Sequence, residues 1–312
     1  MMEFIPDNQN QILDNTAFSK IISIPDHLGG FDINYRNPLL DHISGNVDQN
    51  TTILNYYIFD ERVTQNYPNL TFKLDKKEFR VFHSLKDYNM HPPLNYKNFI
   101  CSFNGSPHIS RKLLVSILQK FNWFNKNYCT KNFSVDPYII DGHITELIKN
   151  SNFYTKFFSV DPIFLNNIYV DNYQRFNHMN NIQTLETRLT ESFLHIVSET
   201  LATSYYPFMS EKSFYSIATR GLFLAYAQPG WHEHFEKYFG FRRYTKLFDY
   251  HFDTIKNPIK RLVELMSMVS KFSNLSIADW HDLYLIEQDT IEYNYEHYFS
   301  GNYLKILELY DI

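Results

Sequence analysis

The stretch of sequence that decides the fold spans residues 193–241: FLHIVSETLATSYYPFMSEKSFYSIATRGLFLAYAQPGWHEHFEKYFGF. It opens with an apolar run at 193–197, which has the length and composition of a buried strand. A loop rich in aromatic residues follows and ends at Ser210, a residue type favoured at helix N-caps, with Glu211 in the first helical turn. The pattern predicts a strand, a loop and a helix in succession.

The second half of this stretch repeats that order. The apolar spacing of the helix stops at Gly221, which we expect at the C′ position because glycine tolerates a left-handed backbone. A second apolar run at 222–227 leads to a Pro-Gly turn and a short helix that ends near Gly240. The whole stretch therefore predicts a β-α-β unit, and hence a parallel sheet with helices on its faces.

Further strands and helices are predicted on both sides of this unit. Apolar runs of strand length lie at 20–25, 53–59, 79–83 and 99–103. An amphipathic helix is predicted at 110–121, with an apolar face made of Leu113, Leu114, Ile117, Leu118 and Phe121.

The C-terminal third is predicted to be helical. Pro258, behind Asn257, is suited to the first position of a helix whose buried face runs to Phe272. Ser276 and Asp279 have the spacing of a capping box, which predicts a last long helix reaching about residue 299. A short helical segment is expected at 303–312.

Composition indicates a globular protein without a membrane span. The chain has 312 residues, of which 44% are hydrophobic and 18% aromatic, with a mean hydropathy of -0.37. No apolar run reaches the roughly 18 residues that a spanning helix needs, and the N-terminus has no signal-peptide pattern. Two cysteines are too few for a disulfide framework. We therefore expect a soluble protein in a reducing, cytoplasmic compartment.

The charge balance disfavours a dedicated nucleic-acid-binding protein. The net charge is -5 and the isoelectric point about 6.2, whereas such proteins usually carry a basic domain. The abundance of Asn, Tyr, Phe, Ile and Lys is typical of an AT-rich genome, for example that of a virus. A turn-rich segment around 90–93 suggests a domain boundary near residue 95.

The strongest candidate site lies where the helix of the β-α-β unit begins, at Ser210, Glu211 and Lys212. A helix N-terminus offers free N–H groups and a partial positive charge, and Lys212 adds a full one, so the site is suited to a diphosphate. Glu211 can accept hydrogen bonds from ribose hydroxyls, and Phe208, with Tyr205 and Tyr206, can stack on a base. The same residues also suit an ordinary capped helix with solvated charges.

Two further groups are candidates. Arg111 lies in the first turn of the helix at 110–121, where a cation opposes the helix dipole, so we expect either a bound anion or solvent exposure. In the N-terminal part, Asp26, His27, Asp60 and Glu61 follow predicted strands, and each can serve as a general base or as an ordinary turn residue. The histidines of Trp231-His232-Glu233-His234 are only two apart, so we expect no metal site there.

The segment FMSEKSFY at 208–215, with Ala218, Gly221, Leu222-Phe223-Leu224 and Pro229-Gly230, resembles the donor-site motif of α1,3-fucosyltransferase-like glycosyltransferases and of related uncharacterised viral and phage glycosyltransferases. The segment FICSFNGSPHISRKLL at 99–114 is similar to the first strand of that family's donor domain. The resemblance covers roughly residues 96–272 and is good at 193–241.

The resemblance implies an α/β fold of the GT-B type, in which two Rossmann-like domains face each other across a cleft. It implies an acceptor-side domain at 1–95, a donor-binding domain at 96–275, and a C-terminal helical segment at 276–312 that crosses back to the first domain. Arg111 and Lys212 would hold the diphosphate, with Ser210 at the same helix N-terminus. Glu211 would bind the ribose, Phe208 would pack against the base, and Glu199 would touch the sugar or order the loop.

The implied activity is metal-independent transfer of a sugar from a nucleotide-diphosphate sugar to an acceptor hydroxyl, with no cofactor beyond that co-substrate. A carboxylate or histidine of the first domain would act as base. The acceptor is expected to be a glycan, a protein or a small molecule. Three alternatives stay open: transfer to hydroxymethylated DNA bases of a virus or phage, a non-catalytic nucleotide- or glycan-binding protein of the same fold, and a structural or interaction protein whose aromatic residues only form its core.

Overall fold

The computed structural model describes residues 20–23, 31–47, 51–55, 61–74, 79, 83, 95–104, 109–123, 126–131, 178–202 and 204–308. Within these ranges the strands form two sheets, one of three strands and one of four, and every strand pairing is parallel. The protein is therefore a mixed α/β structure with two parallel sheets, a class compatible with Rossmann-like folds.

The first sheet has the strand order β1-β2-β3. Its elements in chain order are β1 (Lys20–Ser23), α1 (Pro38–Asn46), β2 (Thr51–Asn55), α2 (Glu61–Thr64) and β3 (Leu70–Leu74). Strand β2 begins two residues earlier than predicted, and the predicted strand residues 24, 25 and 56–59 lie outside the described part of the chain. The sequence Leu70–Leu74 was not predicted as a strand, although its side chains alternate between buried and exposed.

The predicted third strand at 79–83 is wrong at the two positions that the structure describes. Phe79 and His83 both have a helical conformation. Both residues contact Tyr303 of the C-terminal helical region. The hydroxyl of Tyr303 donates to the Phe79 carbonyl at 3.0 Å, and the rings of His83 and Tyr303 lie 5.8 Å apart.

The second sheet has the strand order β5-β4-β6-β7. Its elements in chain order are β4 (Asn98–Asn104), α3 (Ile109–Lys120), β5 (Tyr128–Lys131), α4 (His178–Thr190), β6 (Ser192–Ser198), α5 (Glu211–Ala218) and β7 (Leu222–Tyr226). The β-α-β unit predicted at 193–227 is confirmed, since β6 and β7 pair in parallel with α5 between them. All residues of β6 and β7 are buried, as expected for parallel strands covered on both faces.

This sheet has a topological switch point between β4 and β6. After β4 the chain continues to β5 on one side of it, whereas after β6 it continues to β7 on the other side. The loops that leave the carboxyl ends of β4 and β6 therefore diverge and open a crevice, where open α/β sheets bind their ligands. Arg111 and Glu199 come just after β4 and β6 in the chain, so this topology places both residues near the crevice.

The C-terminal third is helical, as predicted. Its elements are α6 (Trp231–Phe239), a 3₁₀ turn (Tyr250–Thr254), α7 (Pro258–Ser270), α8 (Ile277–Ile286), α9 (Gln288–Phe299) and α10 (Asn302–Glu308). The capping box of Ser276 and Asp279 is confirmed. The single long helix predicted at 276–299 is wrong, because the chain breaks at Glu287, whose buried carboxylate accepts the N–H groups of Lys246 and Leu247 at 2.6 and 3.1 Å.

Three details of helix boundaries also differ from the sequence pattern. Phe121 lies just beyond α3 and is 43% exposed, so it does not belong to the buried face of that helix. Phe272, predicted on the buried face of α7, lies past its end and is only partly buried. The C′ residue of α5 is Arg220, with a φ of 52°, and not Gly221.

Gly221 is required for space. A Cβ atom there would lie 2.1 Å from Cε1 of the buried His195. Its N–H donates to the Ser216 carbonyl at 2.8 Å, which completes a Schellman-type ending in which Arg220 takes the left-handed position. Arg220 offsets its backbone strain with side-chain contacts: Nε donates to Glu292 at 3.0 Å, and the guanidinium lies 3.5 Å from the Tyr295 ring centroid.

Candidate functional site

The site at the switch point is built around Glu199, which follows the last residue of β6. Its side chain is fully buried, and its Oε1 accepts a hydrogen bond from the hydroxyl of Ser213 at 2.7 Å. Its Oε2 is buried and has no hydrogen-bond partner among the described residues. Ser213 belongs to the first turn of α5, so Glu199 joins the end of β6 to the start of the next helix.

Burial disfavours the ionised form of Glu199 relative to that of an exposed glutamate. Burial raises the pKa of its carboxyl group above the usual value, while the charge of Lys212 and the hydroxyls of Ser210 and Ser213 oppose that rise. A buried oxygen without a partner is costly, because such groups are almost always hydrogen-bonded in native structures. A carboxyl oxygen in this position can accept a hydrogen bond from a hydroxyl group placed beside it.

The N-terminus of α5 is not capped by a side-chain hydrogen bond. Ser210 takes the N-cap position with an extended backbone, as predicted, but its side chain makes no capping hydrogen bond. Lys212 Nζ instead contacts Ser210 Oγ at 3.4 Å and pairs with Glu211 Oε1 at 2.7 Å. The side chains of Lys212 and Glu211 are only 17% and 18% exposed. A partly buried cation beside a helix N-terminus is a suitable place for an anion.

Arg111 lies in the first turn of α3 and contacts the loop that follows β6. It is 3% exposed, so solvent exposure does not explain a cation at this helix end. Its Nη2 donates to Thr200 Oγ1 at 3.3 Å, which connects the loop after β6 with the helix after β4. Burial also lowers the pKa of the neighbouring Lys112. Of the two explanations that the sequence left for Arg111, solvent exposure does not fit its burial, and binding of an anion stays a prediction.

The loop between β6 and α5 is held in place by buried side chains from the elements that follow it. This β6–α5 loop comprises residues 199–202 and 204–210. Gln228 donates to the Leu201 carbonyl at 2.6 Å and accepts the N–H of Phe208 at 3.1 Å. The indole of Trp231 donates to the Phe208 carbonyl at 2.9 Å. The ring of Phe208 is only 3% exposed, whereas Tyr205 is half-buried. Tyr205 therefore offers the larger accessible ring surface in this loop.

A buried arginine supports the same loop from below. Arg261 of α7 is 1% exposed and donates to the carbonyls of Ala202 and Ala227 at 2.6 and 2.8 Å. Its third nitrogen donates to the carbonyls of Ile255 and Lys256 at 2.5 and 3.2 Å. Burial lowers the pKa of this guanidinium. A guanidinium has five N–H donors in a planar fork and can reach these four carbonyls, whereas the ammonium group of a lysine has only three donors on a single atom.

The N-terminal part of the protein reaches this loop directly. The backbone N–H of Phe31 donates to Ser204 Oγ at 2.8 Å, and the N–H of Tyr205 donates to the Phe31 carbonyl at 3.1 Å. Arg62 of α2 contacts His234 of α6, with 3.3 Å between Nη2 and Nδ1. Segments that follow β1 and β2 therefore lie against the loop that follows β6.

The predicted bases are only partly described. Asp26, His27 and Asp60 lie outside the described residues. Glu61 is the first residue of α2 and is exposed. Its neighbour Arg62 touches the β6–α5 loop, which places the start of α2 beside the second sheet.

The histidines at 232 and 234 have roles other than metal binding. The Nδ1 atom of His232 is hydrogen-bonded to Oδ1 of Asp253 at 3.0 Å, and its Nε2 atom accepts a hydrogen bond from the backbone N–H of Ala225 at 3.2 Å. His234 lies against Arg62. Among the described residues there is no group of three or more His, Cys, Asp or Glu side chains with metal-binding geometry.

An open groove of about 680 Å³ lies elsewhere, along the segment after α6. It is lined by Arg243, Thr245, Lys246, Leu247, Phe248, Asp249, Tyr250, His251 and Thr254. None of these residues belongs to the candidate site, and the buried carboxylate and buried cations described above are not part of its walls.

Several members of the site are not evident in the sequence. Thr200 and Ser213 become significant only because one accepts from Arg111 and the other donates to Glu199. The polar triplet Ser198-Glu199-Thr200, which follows the mostly apolar run at 193–197, is the available signal, since ligands bind in the crevice outside the carboxyl ends of the strands. Gln228 and Arg261 give no comparable signal.

Comparisons with protein-family models, with curated proteins and with solved structures found no match. In the described residues, no helix combines the length and the apolar character needed to cross a membrane.

Proposed function

We propose that the protein is a glycosyltransferase that moves a sugar from a nucleotide-diphosphate sugar to an acceptor hydroxyl without a metal ion, and that its two sheets belong to a GT-B arrangement. The observation that supports this most strongly is the set of groups at the switch point. Arg111, Lys212 and the open N-terminus of α5 approach it from two diverging loops, together with the buried carboxyl of Glu199.

The chemistry of a nucleotide-sugar donor matches these groups. When the bond to the sugar breaks, the diphosphate leaves with an additional negative charge. Two partly or fully buried cations and a helix N-terminus stabilise this charge more strongly than water-exposed groups would, because the surrounding dielectric is low. In this role Arg111 and Lys212 bind the diphosphate oxygens. Lys212 has to exchange its contact with Glu211 Oε1, which frees Glu211 for the ribose hydroxyls.

The remaining contacts follow from burial. Glu199 Oε2 accepts a hydroxyl of the sugar, which would satisfy a buried oxygen that has no partner among the described residues. Tyr205 is a better candidate than Phe208 for stacking on the base, because the ring of Phe208 is covered by the core. The acceptor hydroxyl is deprotonated from the side of the first sheet, by Glu61 or by one of Asp26, His27 and Asp60.

A panel of UDP, GDP, CMP and dTDP sugars tests this proposal. A ligand present at 100 times its dissociation constant adds about 2.7 kcal/mol to the free energy of unfolding, which is readily seen as a thermal shift. The expected result is a shift with one of the UDP, GDP and dTDP sugars, and slow hydrolysis or transfer of the same sugar in the presence of EDTA; the CMP sugar has a single phosphate and should give no shift. The absence of any shift across the panel would contradict the proposal, and binding without hydrolysis or transfer would indicate a non-catalytic protein.

A further inference from the structure

A cluster of four side chains connects the first sheet with the β6–α5 loop. Arg62 of α2 lies at its centre, with its guanidinium carbon 5.3 Å from the ring centroids of both Tyr35 and Tyr206. The same guanidinium approaches His234 Nδ1 at 3.3 Å. Tyr206 belongs to the β6–α5 loop, so one arginine contacts three different segments of the chain.

Two members of the cluster are buried and pack against each other. Tyr206 and His234 are 1% and 3% exposed, and their rings meet edge to face at 5.6 Å. Burial, Arg62 and Lys237 hold the pKa of His234 well below its usual value, which keeps the imidazole neutral. A neutral imidazole can accept a hydrogen bond from a guanidinium, whereas a protonated one cannot.

Backbone strain contributes to the same cluster. Tyr35 has a φ of 59°, a left-handed conformation that is costly for an aromatic residue. The turn that imposes it is tied down by Asp32, whose Oδ1 accepts the N–H of Arg36 at 2.9 Å, and by Asn66, whose amide donates to the Tyr35 carbonyl at 3.1 Å. The result of this strained turn is that the Tyr35 ring lies on Arg62.

We propose that Arg62 is a positioning residue that holds the β6–α5 loop in the conformation needed to bind the nucleotide sugar, a role that rests on the function proposed above. Arg62 acts through Tyr206, four residues before the helix N-terminus that receives the diphosphate. It joins α2, which starts with the candidate base Glu61, to the loop that carries the donor contacts.

Hydrogen–deuterium exchange of the full-length chain tests the role of Arg62 without any assumption about activity. In Arg62→Ala, we expect the amides of 204–206, 208 and 209 to exchange about tenfold faster, because Tyr206 loses its cation–π contact and the loop loses the connection through Arg62 to Tyr35 and His234. The amides of β6 and β7 should keep their wild-type rates. Arg36→Ala is the matched control, since Arg36 also lies over a tyrosine ring, but that ring is Tyr67 and the ion pair of Arg36 is with Asp41, neither of which belongs to this loop.

Two variants of the partner separate positioning from folding. In His234→Asn the amide oxygen can replace Nδ1 as acceptor, so the loop amides should remain protected from exchange. His234→Phe keeps an aromatic ring but loses the acceptor, so the loop amides should exchange faster. The affinity for the nucleotide sugar identified by the panel should fall about tenfold in Arg62→Ala and remain unchanged in Arg36→Ala.

Unchanged exchange at 204–206, 208 and 209 in Arg62→Ala would overturn the proposal, and so would a uniform increase over the whole chain. Faster local exchange with unaltered nucleotide affinity would also overturn it, because the loop would then not need Arg62 to bind the donor. If the wild-type protein binds none of the nucleotide sugars, the proposed function fails, and the exchange data still decide whether Arg62 holds the loop.

Discussion

Replacement of Gly221 by alanine should destabilise the protein strongly, although the residue does not have a left-handed backbone. The new Cβ would lie 2.1 Å from Cε1 of His195 and 2.7 Å from both ring nitrogens. The ring cannot turn away freely, since Nδ1 contacts Ser216 Oγ at 3.0 Å and Nε2 contacts the Leu189 carbonyl at 2.8 Å. These contacts tie β6 to α4 and α5, so the clash affects the unit that carries the candidate site.

The size of the effect follows from three contributions. Overpacking of a core costs roughly 1–3 kcal/mol, and each lost hydrogen bond costs about 1 kcal/mol. The reduced freedom of the unfolded chain returns about 0.4–1 kcal/mol when glycine is replaced by alanine. We therefore expect Gly221→Ala to lower the free energy of unfolding by about 3 kcal/mol, as measured by urea denaturation followed by circular dichroism.

Two controls decide whether the reasoning is correct. Gly45→Ala adds a Cβ in open space near the end of α1, and it should be neutral or slightly stabilising. In a His195→Ala background the space of the ring is vacant, so Gly221→Ala should cost little there. A loss below about 1 kcal/mol for Gly221→Ala in the wild-type chain, or an equal loss in both backgrounds, would refute the steric account.

Two further predictions concern stability. Burial lowers the pKa of His195 to about 4, so the unfolded state binds more protons between about pH 6.5 and 4 and stability falls as the pH drops through that window. The expected contribution of this histidine is a loss of about 2 kcal/mol between pH 7 and 5, and urea denaturation of His195→Gln should show a correspondingly smaller pH dependence. Arg261→Met leaves the carbonyls of Ala202 and Ala227 without their donor, and it should lower the free energy of unfolding by about 3–5 kcal/mol. The exposed Arg242→Met should change it by less than about 1 kcal/mol, and similar losses in both variants would contradict the role given to Arg261.

The parts of the fold that sequence reasoning predicted well are those in which local pattern and tertiary environment agree. The run at 193–197 is apolar except for His195, and β6 is buried on both faces. The capping box at Ser276 and the glycine at position 240, whose φ is 73°, are local features whose chemistry dictates their conformation.

The wrong predictions of secondary structure are explained by tertiary contacts. The pattern FRVFH is apolar enough for a strand, yet Phe79 and His83 are helical and contact Tyr303, more than two hundred residues away in the chain. The long helix at 276–299 has no proline or glycine to break it, and the break comes from a buried hydrogen bond between Glu287 and a distant loop. Local propensity cannot predict such contacts, because the partner is unknown until the chain is folded.

In the candidate site, too, local sequence features indicated some residues, while other properties depend on the folded chain. The sequence indicated Ser210 and Arg111 from their positions at helix starts, and the strand order brings both to one crevice. It did not indicate that Arg111 is buried or that Glu199 has an oxygen without a partner among the described residues, because burial is a property of the folded chain. The predicted contact of Phe208 with a base stays a prediction.

The most direct test of the proposed donor site is a calorimetric titration of the wild-type protein, Lys212→Ala and Lys260→Ala with the nucleotide sugar selected by the panel. Lys260 is the matched control, since it lies in the first turn of α7 and is exposed to solvent. A charge-assisted contact to the diphosphate contributes about 1.5–3 kcal/mol, so Lys212→Ala should bind at least tenfold more weakly, while Lys260→Ala binds as the wild type does. Wild-type affinity in Lys212→Ala would contradict the proposal that this helix N-terminus holds the diphosphate.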